Sequence, residues 1–204
     1  MSFSQNQEEQ KILEYFGDYV GSFLDIGCND CRTFSNTHAL ALRGWAGVVI
    51  DASPKAIEKC RVLYEGRKDI HIYQWAISKQ FKNNGVALLQ ESGPLIGKDD
   101  VGLVSTFHKH EIDRFKKTVK YDLVETKTYK WKTAYNRIPI KKYDFINLDV
   151  EGDEMNILPD LDLSGVRLLA IEWNSVPNNK LHFEKYLEGF KLIYTSAENL
   201  LYAR

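Results

Sequence analysis

Ser22-Phe23-Leu24-Asp25-Ile26-Gly27-Cys28-Asn29 is the stretch on which the fold reading turns. A short apolar run ends in a single glycine, the residue that lets a chain turn tightly and lets a ligand approach the backbone. Beyond this turn the chain alternates between helix and strand patterns. Thr33 to Arg43 has helical periodicity, with Gly44 as a stop. Gly47 to Asp51 is a second short, apolar strand of the sort buried on both faces. Ser53 then stands as N-cap and Pro54 as first residue of a helix reaching about Tyr64, and Ile70 to Ala76 is a third strand. This βαβαβ alternation predicts an α/β fold with a doubly wound, mostly parallel sheet.

Upstream, Glu8 to Phe16 reads as a lead-in helix with Ile12, Leu13 and Phe16 on one face. Downstream, residues 79–142 follow no clean period. Val86 to Gln90 offers an extra strand, Ser92 to Gly102 a Gly-rich loop, and Asp122 to Trp131 an exposed strand. Regularity returns with strands at Tyr143–Val150 and Val166–Trp173, a short helix from Asp153 to Leu158, and a helix from Lys180 to Leu187. Phe190–Thr195 and Asn199–Tyr202 are separated by a few residues and predict a closing antiparallel hairpin. The expectation is one domain over residues 1–204, with 79–142 an inserted lid and substrate-specificity region.

The 204 residues are enough for one sizeable core, and a formal net charge of −1 sets up no global field for nucleic acid or membrane. The first ten residues have neither a basic start nor an apolar run, so no signal peptide is expected. No apolar run approaches the roughly 20 residues of a membrane span. Three cysteines, an odd number, argue against a secreted disulfide framework. A cytoplasmic protein without a membrane partner is expected.

The chemistry is written at the strand ends. A dinucleotide fold would carry Gly-x-Gly-x-x-Gly after its first strand, and this chain does not. Asp25 instead precedes the lone Gly27 by two residues. A carboxylate sits badly beside a pyrophosphate and well beside a cation, which favours S-adenosylmethionine, with its ammonium and sulfonium, over NAD. Asp51 ends the second strand 24 residues past Gly27, where a carboxylate can accept both ribose hydroxyls. Solvent-facing strand ends are the plainer account of either aspartate alone. Cys28-Asn29-Asp30-Cys31 has the spacing of a redox pair, but incidental cysteines beside a cofactor loop explain it with less.

The second informative string is Asp144-Phe145-Ile146-Asn147-Leu148-Asp149-Val150-Glu151-Gly152-Asp153-Glu154. A mid-sheet parallel strand delivers Asp149 and Glu151 to the carboxyl edge, where open α/β sheets bind ligands. Carboxylates gathered there repel unless a cation, a proton or a metal offsets them. Asp153 and Glu154 are accounted for by the positive end of the next helix.

Taken with Phe23–Asn29, this string resembles the FkbM family of class I methyltransferases, which show an Asp-x-Gly-x-Asn loop and a later Asp-Val-Glu-Gly-x-Glu strand end. Gln74-Trp75-Ala76-Ile77-Ser78 resembles the family's segment bordering the adenine, and Gly102-Leu103-Val104-Ser105-Thr106 its middle loop. The resemblance covers roughly residues 20–175. It implies a Rossmann-like, seven-stranded sheet with an antiparallel last strand, S-adenosyl-L-methionine as cofactor, and O-methylation. Cys31 stands where such loops often carry a second glycine, and Asn147 where a lysine is common.

The resulting expectation assigns Asp25, Gly27 and Asn29 to the methionine end of the cofactor, Asp51 and Ser53 to the ribose, and Gln74, Trp75 and Ala76 to the adenine edge. Asp149, Glu151 and Glu172 are the candidate catalytic residues. Glu172 and Asn174 carry oxygens that suit Mg²⁺ or Ca²⁺, although strand-end ion pairs explain them as well, and a divalent metal is not the favoured reading. His108 and His110 are the remaining proton acceptors near neutral pH, with surface histidine as the plainer account. Residues 109–142 hold eleven basic residues against four acidic ones, interleaved with Tyr121, Tyr129 and Trp131. A solvated face is the plain reading and an anionic acceptor the sharper one. Two functions are compatible with this pattern: methyl transfer to a hydroxyl on a sugar, small molecule or glycan, or a non-catalytic module that binds nucleic acid or glycan through 109–142.

Overall fold

The computed structural model describes residues 2–95 and 102–204. In chain order the elements are α1 (Glu8–Phe16), β1 (Ser22–Ile26), α2 (His38–Leu42), β2 (Ala46–Asp51), α3 (Pro54–Leu63) and β3 (Ile70–Ile77). Then come β4 (Gly85–Ser92), α4 (Lys109–Phe115), β5 (Tyr121–Tyr129), α5 (Trp131–Arg137), β6 (Phe145–Leu148) and α6 (Glu154–Ile157). The chain closes with β7 (Leu168–Glu172), α7 (Pro177–Glu184), β8 (Lys191–Thr195) and β9 (Asn199–Ala203).

Side chains alternate across a strand, so a buried strand needs apolar residues on both faces. In β1, β2, β6 and β7 the alternation divides the core in two. Leu24, Ile26, Val48, Ile50, Ile146, Leu148, Leu169 and Ile171 pack on one face against residues of α5, α6 and α7. Phe23, Val49, Phe145, Leu168 and Ala170 pack on the other, against residues of α1, α2 and α3. The sheet is wound on both sides.

Among the described residues nine strands form one sheet, in the order β4-β5-β3-β2-β1-β6-β7-β9-β8. The seven strands from β3 to β8 are the sheet expected from the sequence, with β9 antiparallel to both neighbours. The irregular segment adds the other two: β5 pairs parallel with β3, and β4 antiparallel with β5. Strand order reverses at β1, which lies between β2 and β6, and the carboxyl ends there open a crevice.

The sequence reading does not foresee α4 and misses element boundaries elsewhere. The helix expected from Thr33 begins only at His38. Asp30 takes over the preceding turn, its Oδ1 accepting from the backbone N–H groups of Arg32 and Thr33, and Phe34 adopts a left-handed φ of 57°. Short polar side chains that bond the local backbone compete with helix in this way. The strand expected to reach Trp131 stops at Tyr129, and Trp131 starts α5, burying its ring beneath the sheet. The helix expected from Lys180 begins at Pro177, whose fixed φ suits a first helical residue. No helix among the described residues is long and apolar enough to cross a membrane.

Candidate active site

The turn after β1 is built on a backbone contact. Gly27 has φ +89°, and a Cβ on it would stand 1.5 Å from the carbonyl oxygen of Asp149. Any side chain is excluded there. The N–H groups of Gly27 and Cys28 donate to the Ile50 carbonyl at 2.8 and 3.2 Å, and Asp149 N–H donates to Ile26 O at 2.9 Å. The ends of β1, β2 and β6 are thereby fastened together.

Asp51 lies at this junction. Its Oδ2 accepts from Asn29 N–H at 2.9 Å and its Oδ1 from Ser53 N–H at 2.7 Å. A carboxylate has about four lone-pair positions, so both oxygens keep capacity for a ligand. Asp25, 1% exposed, accepts from Thr37 Oγ1 at 2.6 Å and from Asn147 Nδ2 at 2.9 Å. Asn147 is held in turn by Asn36 Nδ2 at 2.9 Å. Burial raises both aspartates to about 6 despite these bonds. In the turn after β1, Asn29 Oδ1 and Nδ2 are buried with no partner among the described residues.

The second carboxylate group gathers at the ends of β6 and β7. The ligand oxygens of Asp149, Glu151 and Glu172 lie within 4.8 Å of one another, a set that suits a hard cation as well as shared protons. Burial, followed by mutual repulsion, raises Glu151, Glu154 and Glu172 well above the usual carboxyl range. The hydrogen bond from Glu172 pulls Asp149 the other way, and burial still leaves it raised to about 7. Glu154 folds back to accept the backbone N–H of Val150 at 2.7 Å, which shapes the turn carrying Glu151, itself at a left-handed φ of 55°.

These residues line one cleft of about 320 Å³. Asp25, Gly27, Asn29, Asp51, Trp75, Ala76, Asp149, Glu151 and Glu172 all reach it. Ser53 and Gln74 do not. Ser53 is fully buried, caps α3 and donates its hydroxyl to Glu91 at 2.6 Å. Gln74 instead lines a separate groove with Arg61, Tyr73 and Lys127. His108 packs over Gly152 near Asp153 rather than into the cleft.

Several contributors were not foreseen. Thr37 and Asn147 hold Asp25, and Glu91 on β4 braces Ser53. Phe81, Phe107, Arg114 and Phe115 from the 79–142 segment form a wall. No local pattern marks such residues, since each acts across the sheet. Of the lysine-rich stretch, Arg114 reaches the cleft, paired with Glu111 at 3.3 Å. Lys109 and Lys116 pair with Asp113 instead. The cysteines also differ from expectation, since Cys31 is joined to Cys60 and Cys28 is free.

Residues 25–193 match the family model described as the methyltransferase FkbM domain. Among curated proteins none matches in sequence. The ribosomal protein L11 methylase from Lactobacillus delbrueckii subsp. bulgaricus is similar in fold, with 11% identity over 97% of this chain and 77% of that one and a TM-score of 0.51. Monomeric WbdD shares 16% identity over 98% of this chain at a TM-score of 0.49, and the chain spans 41% of its length. The fibrillarin pre-rRNA processing protein of Methanococcus jannaschii shares 13% identity over 97% of this chain and 76% of its own, at 0.47.

Proposed function

Because the chain belongs to the methyltransferase FkbM domain family, we propose that it transfers a methyl group from S-adenosyl-L-methionine to an acceptor hydroxyl on a sugar, another small molecule or a glycan. The observation that carries this reading is the convergence of Asp25, Asn29 and Asp51 on one cleft, with the Asn29 amide buried and unpartnered among the described residues. An amino-acid end bearing both a carboxylate and an ammonium satisfies both atoms of that amide, and a net positive ligand suits the acidic floor.

In this reading Asp25, Gly27 and Asn29 hold the methionine end, Asp51 the ribose hydroxyls, and Trp75 and Ala76 the adenine edge. Ser53 acts at one remove, by fixing Asp51. When bound, the cofactor supplies an electrophilic methyl group on a sulfonium. Asp149 accepts the acceptor's hydroxyl proton, a role suited to a carboxyl that ionises near neutral pH. Glu172 donates a hydrogen bond to Asp149 and fixes its orientation, while Glu151 orients the acceptor. The wall from 79–142, with its phenylalanines, acts as lid and specificity region and keeps water from the reacting centre. The part of that lid at 96–101 lies outside the described residues.

The test is incubation with S-adenosylmethionine carrying an isotopically labelled methyl group and a panel of sugars, glycans and small hydroxyl compounds. Mass and NMR spectra of the products are expected to place the label on oxygen. Label on nitrogen or carbon, or no transfer to any acceptor, contradicts the reading.

A further inference from the structure

Behind the turn after β1, three sulfurs meet out of reach of solvent. Cys31 and Cys60 are 0% exposed and Cys28 is 4% exposed. Cys31 and Cys60 are joined, with Cα atoms 5.4 Å apart, an ordinary separation for a disulfide. Cys28 stays free, its Sγ 4.0 Å from that of Cys60.

The bond ties the turn after β1 to the helix after β2, and these two segments hold Asp51 from opposite sides. Asn29, within the turn, donates its N–H to one oxygen, and Ser53, which caps the helix bearing Cys60, donates to the other. The turn is also in an unfavourable shape. Asn29 and Cys31 hold left-handed φ values of 46° and 61°. Asparagine tolerates this region, but at Cys31 such backbone is strained and persists where its surroundings enforce it. Cys60 Sγ also touches the carbonyl oxygen of Asn29 at 3.0 Å. The crosslink is the covalent part of that enforcement.

We propose that Cys31 and Cys60 form a redox-controlled clamp on the cofactor cleft. Bonded, they hold the turn in the shape that presents Asn29 and Asp51 to the cofactor; reduced, they release it and affinity falls. The inference rests on reading this cleft as a cofactor site. Closing the clamp removes two electrons and two protons from two thiols, which reduce a small-molecule disulfide to two thiols. A dithiol reverses the exchange. Cys28 stays out of it, since burial, then Asp51 and Asp25, keep its thiol protonated and a poor nucleophile. With both bonded sulfurs buried, exchange requires the turn to open. A ligand that bridges Asn29 and Asp51 therefore shifts the exchange equilibrium toward the bonded form, the reciprocal of the clamp's effect on affinity.

The experiment equilibrates the protein with oxidised or with reduced dithiothreitol. Thiols are then counted by alkylation after denaturation, amide exchange is followed over 28–37, and S-adenosylhomocysteine is titrated calorimetrically. The oxidised protein is expected to show one alkylated cysteine, slower exchange in the turn, and binding about fivefold or more tighter than the three-thiol form. C60S is expected to bind at the reduced level whatever the oxidant. Three free thiols in both conditions, or equal exchange and equal affinity in the two forms, would overturn the clamp. Absence of S-adenosylhomocysteine binding in either form contradicts the cofactor reading and takes the clamp's function with it.

Discussion

The carbonyl oxygen of Asp149 occupies the space in which a side chain on Gly27 would begin, 1.5 Å from the position of its Cβ. The turn proposed to hold the cofactor and the strand end that carries Asp149 thus touch backbone to backbone. Their spacing is set by the sheet and not by a movable side chain, which is how a site keeps two partners aligned for an in-line displacement.

Gly27→Ala is therefore expected to be costly in both roles of the contact. The added carbon meets backbone, which cannot rotate away, and φ +89° is strained for alanine. A loss of about 3 kcal/mol is expected from overpacking and strain together. A denaturant midpoint unchanged from wild type would show that β1 and β6 can separate freely.

Stability should fall with rising pH across the neutral range. Burial raises Asp149 to about 7 and Asp25 and Asp51 to about 6. A carboxyl whose pKa rises on folding holds more protons folded than unfolded, so its contribution is complete below about pH 4 and is lost as pH climbs through the folded value. The thermal midpoint is expected to be higher near pH 5 than near pH 8, and Asp149→Asn should flatten the difference. A midpoint that rises over this interval contradicts the assignment.

Glu91 is expected to matter for cofactor affinity although it lies outside the cleft. Its Oε1 accepts the Ser53 hydroxyl at 2.6 Å, and Ser53 fixes Asp51. Lys55, half exposed, reaches the fully buried Glu91 carboxylate at 2.7 Å and offsets its charge. Glu91→Ala should cost about 2 kcal/mol through the lost charge-assisted hydrogen bond and weaken S-adenosylhomocysteine binding. Glu91→Gln, which keeps an acceptor oxygen, should recover most of the affinity. Equal affinities in all three proteins would remove Glu91 from the account.

Asp149→Asn should lower turnover by about a hundredfold or more, the scale for losing a general base. Cofactor affinity should change little. Wild-type kcat/KM should rise with pH and level off above about 7, where Asp149 is ionised. Weakened S-adenosylmethionine binding with full turnover at saturation would move Asp149 into the cofactor site.

The carboxyl-edge residues were legible in the sequence because strand ends and a lone glycine leave local marks. Asp25, Gly27, Asp51 and Asp149 could be located by counting along short apolar runs. Gln74 lines a separate groove although Trp75 and Ala76 beside it reach the cleft, a distinction that no local signal in the strand makes. Asn147, Glu91 and Cys60 were invisible for another reason. Each is joined to the site by a contact across the sheet or between elements, with Asn147 meeting Asp25 across 122 positions. The extra strands β4 and β5 were half seen, since exposed strand faces carry weak alternation.

The most direct measurement of the central claim is calorimetric titration of S-adenosylmethionine or S-adenosylhomocysteine into the wild-type protein and Asp51→Ala. Asp51 holds both neighbouring turns and retains acceptor capacity toward the cleft. Saturable binding is expected in the wild type, weakened at least about tenfold, or about 1.4 kcal/mol, in the variant. Equal affinity in the two would place the ribose elsewhere, and a wild type that does not bind would contradict the account as a whole.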